Sequence, residues 1–71
     1  MITKAEKDRL LAQAEDMVVQ AGGPIIAQVR FNTLVAEFQA TTGVNKERAR
    51  HWIAKAIRRA RHLMKGGSKD D

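Results

Sequence analysis

The sequence predicts an all-α fold of three to four helices, the last of them long and basic. Three observations carry this expectation. Apolar residues recur at three- and four-residue steps in two long segments, the period of a helix packed along one side. Glycines at Gly22-Gly23 and Gly43 punctuate those segments. Residues suited to cap a helix start, Thr3 and Asn45, stand just ahead of them.

The first helix is expected over Thr3 to Ala21. Thr3 and Glu6 have capping-box spacing, in which hydroxyl and carboxylate each satisfy an orphan backbone amide. Leu10, Ala14, Met17, Val18 and Ala21 form one apolar stripe. Gly22-Gly23-Pro24 stops the helix, because glycine tolerates a left-handed cap and proline cannot extend the hydrogen-bond ladder.

Pro24 to Thr42 does not read as one straight helix. Phe31, Leu34, Val35 and Phe38 share a face, while Ile25, Ile26 and Val29 fall on roughly the opposite side. The segment therefore divides into a short helical turn from Pro24 to about Val29 and a helix from about Thr33 to Ala40, with Asn32 as its expected N-cap. A short strand is the alternative, since Ile25, Ala27, Val29 and Phe31 alternate with Ile26, Gln28 and Arg30. Thr41-Thr42-Gly43-Val44 reads as a turn, with Val44 placed to staple onto Ala49.

The long basic helix is expected from Lys46 to about Lys65, capped by Asn45. Ala49, Trp52, Ile53, Ala56, Ile57, Ala60, Leu63 and Met64 make its apolar stripe. It stops at Gly66-Gly67, and the chain from 66 to 71 is expected to be a flexible tail beyond a single domain of residues 1–65. Trp52, Phe31 and Phe38 are core candidates.

Charge is concentrated in that last helix. Of the net +5 carried by the 71 residues, residues 1–43 hold four cations against five acids. Residues 44–65 hold eight cations against Glu47 alone, a net +7. A surface so one-sided favours an anionic partner over a merely solvated face.

Other classes find little support. The chain has no cysteine, which excludes disulfides and thiolate metal sites and suits a reducing cytoplasm. It starts charged, unlike a secretory signal, and its longest uncharged run, Met17 to Val29, is interrupted by Gly22-Gly23-Pro24. No catalytic set of side chains with identifiable roles is present, so no enzyme, cofactor or small-molecule substrate is expected. Glu47 and His51, four residues apart, have the spacing of ordinary helix stabilisation. His51 and His62 are about 16 Å apart along a helix, too far to share a metal ion.

The residues around Gly43 resemble helix-turn-helix DNA-binding domains in general, over roughly residues 32–57. Leu34 to Ala40 supports, Thr41 to Val44 turns, and Asn45 to Ile53 enters, with Val35, Phe38, Val44, Ala49 and Trp52 at the hydrophobic positions of the pattern. The resemblance implies a duplex-DNA partner. A fainter similarity links residues 14–24 with Val29-Arg30 to the start of plasmid KfrA-type regulators, and the chain departs from that pattern after Arg30.

The expected interface follows from side-chain chemistry. Asn45, Lys46, Arg48 and Arg50, near the start of the last helix, suit base edges, since arginine can pair with guanine and asparagine with adenine. Lys55, Arg58, Arg59, Arg61 and His62 suit phosphates, and His51 suits solvent or phosphate. The expected function is double-stranded DNA binding, as a regulator or as a packaging or partition accessory. The alternatives are an RNA-binding protein, or an interaction module docking its basic helix on an acidic partner. Membrane-surface binding is disfavoured, because the core needs the apolar stripe. A homodimer is expected, because 71 residues bury little core and Ile25, Ile26 and Val29 would otherwise face water.

Overall fold

The computed structural model describes residues 3–66, with side chains for 3–63. Gly66, expected to stop the last helix and begin the tail, is instead its final helical residue; Gly67, the rest of the expected tail and the packing of Met64 lie outside the described residues. The described chain is all-α: α1 (Lys4–Ala21), α2 (Pro24–Val29), α3 (Phe31–Thr42) and α4 (Lys46–Gly66).

Thr3 caps α1 as its position predicts, with the Glu6 amide donating to Thr3 Oγ1 at 3.1 Å. At the other end Gly22 adopts φ +112°, and the amides of Gly22 and Gly23 donate to the carbonyls of Val19 and Val18. The left-handed backbone favours glycine here, and a Cβ would also press on the end of the Ile26 side chain, 2.9 Å from its Cδ1. The chain can then turn at once into α2, with Pro24 in its first turn.

The stretch from 24 to 29 is helical, which overturns the strand alternative. The helix after it is longer than its hydrophobic pattern suggests, and Asn32 is not its cap. Arg30, at φ −96° and ψ 23°, is the one residue between α2 and α3. Its amide ends α2 on the Ile26 carbonyl, and its own carbonyl accepts from Leu34. The chain re-enters a helix without needing a side-chain cap, which leaves Asn32 exposed inside the first turn. α3 also continues through Thr41 and Thr42, so the turn is Gly43-Val44-Asn45. Thr42 Oγ1 donates to the Phe38 carbonyl at 2.7 Å and accepts from the Val44 amide, while Gly43 takes the left-handed conformation at φ +78°.

The core is one cluster drawn from all four helices. Ala14 and Val18 of α1, Ala27 of α2, Leu34, Val35 and Phe38 of α3, and Ala49, Trp52, Ile53, Ala56 and Ile57 of α4 are buried. Leu10, Leu11, Met17, Ala21, Phe31, Val44 and Ala60 pack half-buried against it. Leu11, outside the expected stripe of α1, belongs to this second layer. Leu63 was expected in the stripe of α4 but is 69 % exposed, because that helix outruns the elements packed on it. No described helix is long and apolar enough to cross a membrane.

Candidate nucleic-acid interface

α4 holds the site because its sequence forces a two-sided helix. The Arg48 amide donates to Asn45 Oδ1 at 2.8 Å, and the Ala49 amide to the Asn45 carbonyl at 2.9 Å, so Asn45 is the cap its type predicts. That bond changes what Asn45 can offer. Bidentate pairing with adenine needs carboxamide oxygen and nitrogen together, and the oxygen is already held toward the helix start by one bond, so only its second lone pair and the nitrogen are left.

At about 100° per residue, the buried Ala49, Ile53 and Ala56 define the inward direction of α4. The outward direction falls on Glu47, His51, Ala54 and Arg58, whose steps of four, three and four residues make one ridge along the helix. Glu47, His51 and Arg58 are exposed, and Ala54 is half-buried. Arg48 and Arg50, expected together at base edges, are about 160° apart around the axis and flank this ridge on opposite sides. Lys46 and Arg50 lie on one flank, and Arg48, Lys55 and Arg59 on the other.

Tertiary contacts divide the cations further. The Arg59 guanidinium donates from Nε to Glu15 Oε2 of α1 at 2.6 Å. Arg59 is thereby tied to the body of the protein, although its side chain remains 54 % exposed. Lys55 Nζ sits 5.7 Å from the Trp52 ring centroid, and the His51 ring meets Trp52 edge-on at 5.2 Å. Trp52 is itself only 7 % exposed and anchors the core, so it shapes the surface from beneath and offers no face for stacking on a base. Arg58 and His62 share a shallow groove with Lys55, Arg59 and Leu63. Arg61 lies instead beside Pro24, Ile25 and Gln28 of α2.

Lys7 is the surface cation that the linear charge count passes over. It lines one depression with Asn45, Glu47, Arg48, His51 and Trp52. A signal for it exists in α1, where Lys7, Leu11, Ala14 and Val18 lie on one line with steps of four, three and four. That line faces α4, and Lys7 stands where it passes beyond the core. With Lys7 near the start of α4 and Glu15 bonded to Arg59 farther along, the two helices run side by side in the same direction.

Among the described residues no group of three or more histidine or acidic side chains is placed to hold a metal ion. Glu15 and Arg59 form the sole ion pair among the described residues, which leaves Glu47 without one amid the cations of α4. No protein-family profile, curated protein or solved structure matches this chain.

Proposed function

We propose that this protein binds double-stranded DNA by laying α4 in the major groove, with α3 and the turn at Gly43 supporting it as in a helix-turn-helix. One observation carries the reading: α4 buries its apolar stripe in the core and turns to solvent a ridge flanked on both sides by cations. A helix about 10–12 Å across with its side chains matches a major groove about 12 Å wide. Flanking cations then meet the phosphate walls while the ridge faces the bases. Arg48 with Lys7 serves one wall and Arg50 with Lys46 the other. Arg58, Arg61 and His62 extend the contact along the backbone, where neutralised phosphates release counterions and supply affinity. A regulator and a packaging or partition accessory would both use such a surface.

The same arrangement disfavours a bilayer as the partner, since Trp52, Ile53 and Ile57 are buried and cannot enter lipid. The acting form is a homodimer. Ile25 and Val29 of α2 are 73 % and 83 % exposed, an apolar face that a second copy would cover. Two-fold symmetric dimers of this kind read two half-sites one helical turn apart.

The test is an electrophoretic shift series across duplex DNA, structured RNA and single strands, with sedimentation onto anionic vesicles as a fourth arm. Duplex DNA should bind tightest, with affinity falling steeply as salt rises. Equal binding to RNA would replace the groove-reading function with general polyanion binding. Failure on every nucleic acid, with capture by an acidic protein, would replace it with an interaction module.

A further inference from the structure

Resting on that reading, we propose that Glu47 is a specificity-determining residue that selects a cytosine in the duplex.

The surface of α4 would attract phosphates better without it. Glu47 is the one acid among residues 44–65, and it occupies the first turn of the outward ridge instead of a flank. It lines the depression shared by Lys7, Arg48 and His51, yet forms no ion pair with any of them among the described residues. An acid paired to a neighbouring cation would be neutralised before the DNA arrived. An unpaired carboxylate instead faces the groove with its acceptors free.

The major groove supplies a partner for such a group at one kind of base edge. The cytosine N4 amino group is a donor, and carboxylate side chains accept from it. Guanine presents acceptors O6 and N7 there and thymine the acceptor O4, each of which repels a carboxylate. Adenine pairs its N6 donor with an N7 acceptor, a pattern that suits a carboxamide and penalises a carboxylate. The surrounding cations hold the helix against the phosphates, so a wrong base would trap an unpaired charge at the interface. The long-range attraction and the local penalty act together: Lys7, Arg48 and Arg50 bring duplex DNA in, and Glu47 rejects most of it.

The rest of the ridge fits this role. Two turns on, Ala54 presents only a methyl between His51 and Arg58, so the ridge is low at its middle and the helix start can approach the groove floor. Arg58 stands about 16 Å along the axis from Glu47, at a distance suited to the backbone.

The experiment is selection from a randomised duplex library with the full-length wild type and with Glu47→Gln and Glu47→Ala, alongside thermal melting of each. Wild type should prefer cytosine by about fivefold or more at one position of the selected site. Glu47→Gln should move that preference to adenine, because a carboxamide matches the adenine donor–acceptor pair. Glu47→Ala should lose the preference and bind random duplex tighter than wild type. Unchanged base preference in both variants would overturn the proposal. So would a lowered melting temperature as the sole effect, which would mark Glu47 as an acid stabilising the positive end of the α4 dipole. A wild type that binds duplex DNA with no base preference would sink the role of Glu47 and leave DNA binding standing. A wild type that binds no duplex would sink both.

Discussion

α2 and α4 each leave one face uncovered, and the two faces are opposite in kind. α2 is six residues long, buries Pro24 and Ala27, and shows Ile25 and Val29 to water. α4 is 21 residues long, buries five apolar side chains, and shows cations. A long helix has enough turns to cover the core along one side and to specialise the other. A helix of under two turns does not, and its apolar surplus would suit another protein surface. On the proposed function the two faces would take different partners: protein at α2, polyanion at α4.

The comparison breaks most visibly at Trp52, where the two sides of α4 meet. Trp52→Ala should cost about 3–5 kcal/mol, the range for truncating a large buried aromatic. In a domain of this size that should abolish cooperative unfolding in a thermal melt. A variant that melts like wild type and loses only DNA binding would mean that Trp52 serves the surface and not the core.

The face of α2 comes next. Sedimentation of the wild type at high micromolar concentration should show a dimer. Ile25→Asp combined with Val29→Asp should weaken dimerisation by at least about 100-fold, from the loss of about 1.5–3 kcal/mol of burial for each large side chain. The melting temperature of the dilute variant should stay close to that of the dilute wild type, since neither side chain supports the core. A wild type that remains monomeric throughout would refute the assignment of a second copy to α2.

How much of this contrast was legible in the sequence follows its range. The two-sidedness of α4 was plain, because strongly apolar and strongly cationic residues alternate at helical spacing from Ala49 to Arg61. The misplacement of Ile25, Ile26 and Val29 was legible for the same reason: their phase conflicts with that of Phe31 and Phe38. The start of α3 was not, since it relies on the backbone of Arg30 bridging two helices and not on a capping side chain. The place of Leu63 was also hidden. Its helical phase matches the core stripe, but nothing local says where the neighbouring helices end. The Arg59–Glu15 pair spans 44 residues, and Lys7 gains its role from where α1 meets α4, so both required the fold.

A smaller effect sharpens the assignment of α4. Arg58 is exposed, belongs to no ion pair among the described residues, and lies on the outward ridge about three turns from Glu47. Arg58→Ala should weaken selected and random duplexes by the same factor and lower the salt slope by about 0.9, the value for one lost phosphate contact. Binding isotherms over a series of salt concentrations measure both. A loss confined to the selected duplex would place Arg58 on a base edge instead.

The smallest effect concerns the tie between the balanced half of the chain and the cationic helix. Glu15 holds Arg59 at 2.6 Å, with both side chains partly exposed, so solvent screens the attraction. An exposed pair of this kind contributes about 0.2–1 kcal/mol. Glu15→Gln should therefore lower the melting temperature slightly at low salt, and the difference should shrink as salt is added. Its effect on DNA should have the opposite sign. The substitution removes a negative charge beside α4 and releases a guanidinium whose chain position already borders Lys55 and Arg58. Affinity for random duplex should rise, with the salt slope steeper by up to about one additional phosphate contact. Arg59→Ala should reproduce the small loss of stability without the gain in binding, so the two variants separate the structural use of Arg59 from its reserve of charge. Equal DNA binding by wild type and Glu15→Gln would mean that Arg59 points away from the duplex, and the phosphate track along the later turns of α4 would then run through Arg58, Arg61 and His62.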